Sequence, residues 1–328
     1  MIALSVIICT HNPRPDYFRR VVQALREQTL SAEEWELLVV DNASTEPVSK
    51  WADISWHPHA RYVREETLGI AWARIRGIVE AKADLLVFVD DDNVLAKDYL
   101  AHAKAIASQH LKLGAWSGNV QLEFEKAPPE WTKPYWQLLA ARDVATDAQG
   151  RSTLSTPAIL PIGAGMCFRR ELGLFYREQW LQSPIRKFFG ARGQSCTLGE
   201  DTDLALTAAD LGLETGVFAR LKLTHLIPCQ RLTEEYFLRL SRGVSTATFL
   251  MQLVRGEPIR RLPRGFKWWT KFFYDCARKW GRTRRFYAAR ELGKRDALRN
   301  FASFNGSAPK PARLPERHLV PRQHHPAT

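Results

Sequence analysis

Three adjacent carboxylates, Asp90, Asp91 and Asp92, close the apolar run Leu85-Leu86-Val87-Phe88-Val89. Like charges side by side repel, so packing alone does not select such a triplet. A divalent cation removes the repulsion. Mg2+ and Mn2+ prefer oxygen ligands and commonly take one or two carboxylates together with substrate phosphates. The competing reading is a solvated acidic turn ahead of the next helix. A second acidic pair, Glu200 and Asp201, follows Gly199 at the start of a helical stretch. There it either complements the helix dipole or supplies a general base for an attacking hydroxyl. His225 sits in the apolar stretch Leu223-Thr224-His225-Leu226-Ile227-Pro228. A lone histidine in that setting is either a satisfied core residue or a neutral metal ligand.

The front half of the chain has the alternation needed to hold such groups. Apolar, β-rich runs predict strands at 4–9, 35–40, 60–63, 84–89 and 115–124, with helices at 17–27, 70–81 and 96–109 between them. In the first helix Phe18, Val21, Val22 and Leu25 fall on one face, the spacing of an amphipathic helix. Short strands alternating with such helices predict an α/β fold whose mostly parallel sheet is flanked by helices. In these sheets ligands bind outside the carboxyl ends of the strands. Thr10-His11-Asn12, Asp41-Asn42-Ala43-Ser44 and Asp90-Asp91-Asp92 follow three of the strands, and so predict one shared site. Further on, residues 127–134 read as a proline-broken aromatic loop, and 142–156 are polar without periodicity. A strand is expected at 162–169, entered through Gly163 and Gly165. Beyond it lie a helix at 200–211, a strand at 217–226 and a long helix at 234–254. A break at 258–265 precedes mostly helical sequence over 266–298. The tail, rich in Pro, Arg and His, is expected to be disordered. No internal repeat is visible.

With 328 residues, 45% of them hydrophobic, the chain can bury a sizeable core. No apolar run approaches the ~20 residues that span a bilayer. The chain opens on a strand-like run at 2–9 without a basic leader segment, which gives the expectation of no secretory signal. The five cysteines, Cys9, Cys167, Cys196, Cys229 and Cys276, form no CxxC pair. They read as reduced thiols of a cytosolic protein. The net charge of +12 is unevenly placed. From Arg255 onward there are 19 Lys and Arg against 5 Asp and Glu, or +14, whereas the preceding residues carry 28 and 30, or −2. Within the basic part, Lys267-Trp268-Trp269-Thr270-Lys271-Phe272-Phe273-Tyr274 is followed by Arg278, Lys279, Arg282, Arg284, Arg285, Arg290, Lys294 and Arg295. Cations interleaved with aromatics on a helix suit an anionic membrane surface. A solvated helix face is the plain alternative, and nucleic-acid binding the least favoured one.

Taken in order, Val6-Ile7-Ile8-Cys9-Thr10-His11-Asn12, Val39-Val40-Asp41-Asn42-Ala43-Ser44, Gly69 through Arg74 and Gly77, Asp90-Asp91-Asp92, Gly163-Ala164-Gly165 and Gly199-Glu200-Asp201 resemble family 2 glycosyltransferases. Each motif alone is weak, whereas the ordered set is specific. The resemblance implies a GT-A (Rossmann-like) fold and inverting transfer of a sugar from a nucleotide-diphosphate donor, UDP-linked by preference. The acceptor would be a hydroxyl of a glycan or of a polyprenol-diphosphate-linked molecule, in polysaccharide or glycoconjugate synthesis. By the same resemblance Thr10, Asn12, Asp41 and Arg74 would contact the nucleotide, although Ile75 stands where the family usually has Asn. Asp90, Asp91 and Asp92 match the DxD motif, with Asp91 near the ribose and Asp92 on Mg2+ or Mn2+. His225 would be a further metal ligand, and Gly163 and Gly165 would let the backbone approach the sugar. Asp201 would be the catalytic base, with Glu200 beside it positioning the acceptor.

The expected organisation is a catalytic GT-A domain at 1–230, a basic helical extension at 231–300 with membrane-associating character, and a disordered tail at 301–328. A cytoplasmic protein, peripheral on the cytoplasmic face of the membrane, is the matching location. Two other classes compete. A nucleotidyltransferase or sugar-nucleotide synthase ordinarily carries a glycine-rich basic loop after its first strand, where this chain has Thr10-His11-Asn12-Pro13-Arg14-Pro15. A non-enzymatic membrane- or nucleic-acid-binding protein leaves the polar strand ends without a purpose.

Overall fold

β1 (Leu4–Thr10) is buried along its whole length, as are β2 (Trp35–Asn42) and all but the last residue of β4 (Leu85–Asp90). Strands covered on both faces need continuous apolar sequence, and parallel strands with crossover helices are covered in that way. The crossovers are α1 (Pro15–Arg26) and α2 (Ile70–Glu80), with β3 (Ala60–Glu65) at the outer edge. The computed structural model describes residues 2–190, 198–256 and 266–302.

After β4 come β5 (Asn93–Leu95), α3 (Tyr99–Gln109), β6 (Leu113–Phe124), β7 (Ala148–Gly150), β8 (Cys167–Arg169) and α4 (Arg170–Gln182). Then follow α5 (Glu200–Leu206), β9 (Glu214–Ile227), α6 (Glu234–Val254), α7 (Phe266–Ala277) and α8 (Gly281–Ala302). One sheet runs in the order β3-β2-β1-β4-β8-β6-β9-β5, with β7 added against β9. The first four strands are parallel. β8 enters antiparallel to both β4 and β6, and β6 then pairs parallel with β9 through a β-bulge after Gly118. Most paired residues therefore lie in parallel ladders, as the alternation predicts, and the antiparallel pairings arise where short strands thread between long ones.

Two hydrophobic layers cover the sheet. One holds Ile7, Leu38, Phe88 and Phe168 with α2 and α4, the other Val6, Val39 and Val87 with α1 and α3. Alternate residues of β1 thus feed opposite layers, the period-two rule of a strand.

Several elements differ from expectation. The strand expected at 162–169 contracts to Cys167–Arg169 because Gly163 to Gly165 form a turn, with the Met166 amide bonded to the Gly163 carbonyl. The aromatic loop tightens into 3-10 turns over Glu130–Leu139, in which Pro134 is tolerated. α4 was not foreseen, and it brings Trp180 edge-on to Trp72 at 4.7 Å. α6, α7 and α8 form the C-terminal helical region, joined to the sheet domain by a third apolar cluster in which Phe286 stacks on Tyr135 at 3.8 Å. The disordered tail expected at 301–328 and Cys196 lie outside the described residues, save Phe301 and Ala302, which end α8. The other four cysteines are free thiols. No helix among the described residues is long and apolar enough to cross a membrane.

Candidate active site

Register places the polar strand ends side by side. Thr10 pairs with Asp41 across β1 and β2, and Cys9 pairs with Asp90 across β1 and β4. Asp41 accepts the Ser44 amide on one oxygen, and on the other the Val48 amide and the Arg64 guanidinium, all at 2.9–3.0 Å. Burial is the largest influence on its pKa and acts upward, yet these donors outweigh it and hold the carboxyl below its usual value. Asn12, at φ 48°, ties the first loop to the second. Its amide donates to the Ser44 hydroxyl, and its side-chain oxygen accepts the Thr45 amide. Asn42 ties the second loop to the Gly69 amide at 2.8 Å. The Thr10 hydroxyl donates to Asp91.

Arg74 is the hinge of the site. It is buried on α2, donating to Asp90 at 3.0 Å and to Glu200 at 2.8 Å, with its guanidinium 5.0 Å from the Phe88 ring centre. One cation therefore joins the acidic strand end to the acidic helix start, which lies 126 residues along the chain from Arg74. Burial pushes Glu200 up to about 7, against the pull of Arg74 and with the push of Asp201. Its second oxygen is buried without a hydrogen-bond partner. Beside it, Asp201 accepts the Gly163 amide at 2.8 Å on one oxygen and the Thr202 amide at 2.7 Å on the other. A Cβ on residue 163 would lie 2.6 Å from that Asp201 oxygen, so glycine is required there. Gly165 adopts φ +67° and offers its carbonyl to the Tyr99 hydroxyl at 2.6 Å. In this structure the two glycines thus serve close contacts within the protein itself.

Asp92 belongs to a separate corner of the cluster. β5 pairs antiparallel with β9, setting Asn93 opposite His225, and the Leu226 amide donates to the Asp92 carbonyl. His225 Nε2 then lies 3.3 Å from an Asp92 carboxylate oxygen, while its Nδ1 is 2.9 Å from the Leu139 carbonyl. Burial works against the charged ring, but the Asp92 carboxylate outweighs it and raises the His225 pKa above its usual value, so a metal bound at Nε2 would have to displace that proton. Arg231 donates to the same Asp92 oxygen at 3.0 Å and is 3.3 Å from Nε2. Burial acts upward on Asp92, but His225 and Arg231 outweigh it and hold it at about 2. In its neighbour Asp91, burial and the Asp92 charge combine to push the carboxyl up to about 7.

Asp92 and His225 together offer one oxygen and one nitrogen to a shared cation. Arg231 already brings a positive charge to the pair, and the buried Asn93 side-chain oxygen beside it has no hydrogen-bond partner. Among the described residues, no group of three or more His, Cys, Asp and Glu forms a metal cage by itself. One or two carboxylates completed by phosphate oxygens are the habit of Mg2+ and Mn2+; Asp92 fits that habit, whereas an imidazole nitrogen is a less usual ligand for either ion.

Direct contacts and strand register thus link Thr10, Asn12, Asp41, Asp90 and Asp91, join Asp90 through Arg74 to Glu200, and join Asp92 to His225, while Gly165 turns its carbonyl to Tyr99. Two partners were not foreseen. Arg64 could have been found from parallel pairing, since it lies opposite Asp41 in β3. Arg231 follows His225 on a 3-10 turn, Cys229–Leu232, and nothing local in the sequence singles it out.

Residues 5–158 match the family model described as Glycosyl transferase family 2. Among solved structures the chain is similar to S. aureus TarS 1–349 in complex with UDP-GlcNAc, at 16% identity and TM-score 0.51, covering 92% of each chain. It is also similar to the mannosyltransferase PcManGT from Pyrobaculum calidifontis in complex with GDP-Man and Mn2+, at 19% identity and TM-score 0.52, covering 94% of this chain and 76% of that one. Of a longer S. aureus TarS chain it spans 43%, with 78% of this chain covered, 17% identity and TM-score 0.48. No curated protein matches by sequence. The fold these likenesses share with the chain is GT-A.

Proposed function

From a chain whose residues 5–158 match the glycosyl transferase family 2 model and whose fold is GT-A, we propose a metal-assisted, inverting sugar transfer from a nucleotide diphosphate donor to an acceptor hydroxyl. The observation that carries this reading is Arg74, which joins Asp90 to Glu200 and so makes the strand-end acids and the helix-start acids parts of one cluster.

Asp41 anchors the loop that receives the base. The Ser44 and Val48 amides, the Ser44 hydroxyl and Arg64 all engage its carboxylate, so Asp41 fixes the shape of that loop, and UDP is the nucleotide proposed for it. Thr10, Asn12 and Arg74 shape the rest of the nucleotide pocket, and Asp91 serves the ribose. Asp92 and His225 would hold Mg2+ or Mn2+, which supplies neutralisation of the leaving diphosphate.

Asp201 takes the proton of the acceptor hydroxyl. The acceptor oxygen forms its bond to the anomeric carbon as the carbon–phosphate oxygen bond breaks on the opposite side, so the anomeric configuration inverts. The nucleoside diphosphate departs with the bonding pair. No nucleophilic side chain is needed, and Glu200, held by Arg74, orients the acceptor. The acceptor proposed is a hydroxyl of a glycan or of a polyprenol-diphosphate-linked molecule. The catalytic unit is assigned to 1–230 and the extension to 231–300.

A thermal-shift titration tests the reading. UDP should raise the melting temperature with Mn2+ present and not without it, GDP should do less, and Asp92→Ala should abolish the UDP effect. Equal stabilisation by UDP in Mn2+ and in EDTA would overturn the role of Asp92. Transfer from a panel of nucleotide sugars, read by nucleotide release, then names the donor.

A further inference from the structure

The C-terminal helices carry a surface that the sugar-transfer reading leaves unused. Three large side chains within eight residues are exposed: Phe273 by 60%, Tyr274 by 61% and Trp280 by 84%. Scattered exposed aromatics are ordinary, but these are grouped on α7 and the turn into α8. Trp269, Phe273 and Ala277 recur at helical spacing along α7, and Trp280 follows them in the turn before α8. The flanking positions are cationic. Lys267, Lys271, Arg278, Arg284 and Arg290 are all exposed. Over residues 266–302 there are 11 Lys and Arg against 3 Asp and Glu.

We propose that this face of α7 and the start of α8 docks the protein on an anionic phospholipid surface. An interfacial helix needs an apolar stripe bordered by cations, and α7 presents both. The way its rings are arranged also favours lipid over nucleic acid. Single-stranded nucleic acid is bound through open ring faces on which bases stack. Here Trp268 stacks on Phe272 at 4.9 Å, Trp269 stacks on Phe273 at 5.6 Å, and the Arg295 guanidinium lies over both Trp268 and Trp269. Trp268, Trp269, Phe272 and Phe273 thus use ring faces within the protein, and Tyr274 and Trp280 project from that cluster as side chains suited to immersion among lipid headgroups. The face is also coupled to the active site. Phe286 of α8 stacks on Tyr135, and that 3-10 segment ends at Leu139, whose carbonyl meets His225. Docking through α7 would therefore tie the bilayer contact to the Asp92–His225 corner of the site.

Flotation of the full chain with vesicles tests this without any donor or transfer assay, so its failure and the failure of the sugar-transfer reading are distinguishable. The chain should float with vesicles of equal parts phosphatidylglycerol and phosphatidylcholine and stay behind with phosphatidylcholine alone. Added salt should release it, because exposed charges are screened beyond about 10 Å at 0.1 M ionic strength. The variant Phe273→Ser/Tyr274→Ser/Trp280→Ser should lose at least about tenfold in partitioning, as expected for removing a buried apolar contact, while melting like the native chain. Should it melt early, Lys267→Glu/Arg278→Glu/Arg284→Glu carries the same test. Lys50→Glu/Lys112→Glu, with two charges reversed outside the C-terminal helices, should float as the native chain does. The proposal is overturned if the native chain fails to float, if the α7 variants float normally, or if a single-stranded oligonucleotide binds the face and displaces the vesicles.

Discussion

Replacing Arg74 with Met keeps the volume and the apolar contact with Phe88 but removes the cation between Asp90 and Glu200. Arg74 and Glu200 are each about nine-tenths buried, whereas Asp90 keeps a third of its side chain exposed. The main loss therefore falls on Glu200, whose other oxygen already lacks a partner. Breaking one side of a buried ion pair costs ~3–5 kcal/mol. At ~2 °C per kcal/mol for a chain of this size, the melting temperature should fall by about 6–10 °C at alkaline pH. The pH dependence then identifies the cause. Glu200 is raised from 4.5 to about 7 in the folded protein. Between those values the folded state keeps a proton that the unfolded state has released, so this group makes stability fall as pH rises through the window. Without Arg74 the folded value climbs further and the fall extends above neutrality. Differential scanning fluorimetry of Arg74→Met against the native chain should show a deficit that widens from pH 6 to pH 8.5. A deficit that is flat over that range, or one below ~2 °C at its alkaline end, refutes the reasoning.

Three further outcomes are expected. Asp201→Asn should lower kcat by on the order of 10²–10⁴-fold while UDP binding, followed by calorimetry, changes little; a loss below tenfold removes Asp201 as the base. Gly163→Ala should force Asp201 aside, since the added carbon would meet its carboxylate at 2.6 Å. A displacement near 1 Å costs up to about 10²-fold in turnover, and unchanged kinetics would show that this carboxylate position is not critical. Arg231→Gln should strengthen Mn2+ binding in the absence of nucleotide by about tenfold, because the guanidinium no longer shares the Asp92 oxygen with the metal, while weakening the metal-dependent binding of UDP. Electron paramagnetic resonance of free Mn2+ reads the first effect, and weaker Mn2+ binding would contradict it.

The buried strands were legible because their apolar runs leave little choice. β1, β2 and β4 appear within two residues of expectation, since each is covered on both faces. The convergence of Thr10, Asp41 and Asp90 was legible for the same reason, as parallel register carries one strand end beside the next. α4 was missed because its charged residues, Arg170, Glu171, Arg177 and Glu178, break up the apolar pattern around Leu172, Tyr176 and Trp180. β8 was overestimated because Gly163-Ala164-Gly165 reads equally well as strand or turn, and the contacts of Tyr99 and Asp201 that decide it come from distant parts of the chain. Arg231 was invisible because its role depends on β9 pairing with β5.

That ladder also explains how the three carboxylates can sit together. A single strand end would expose Asp90, Asp91 and Asp92 to one environment, and their repulsion would be shared. The chain instead gives each a different neighbour: Arg74 from α2 for Asp90, the Thr10 hydroxyl for Asp91, and His225 with Arg231 from beyond β9 for Asp92. The result is a division in which His225 and Arg231 hold Asp92 below the usual carboxyl range, while burial and the Asp92 charge push Asp91 above it. Carboxyls whose environments drive their proton affinities apart are suited to different tasks. A group ionised throughout the neutral range can ligate a cation, and one near neutrality can exchange hydrogen bonds with a ribose. The antiparallel pairing of Asn93 with His225 is therefore more than a sheet edge, because it turns a run of like charges into ordered, separately tuned groups.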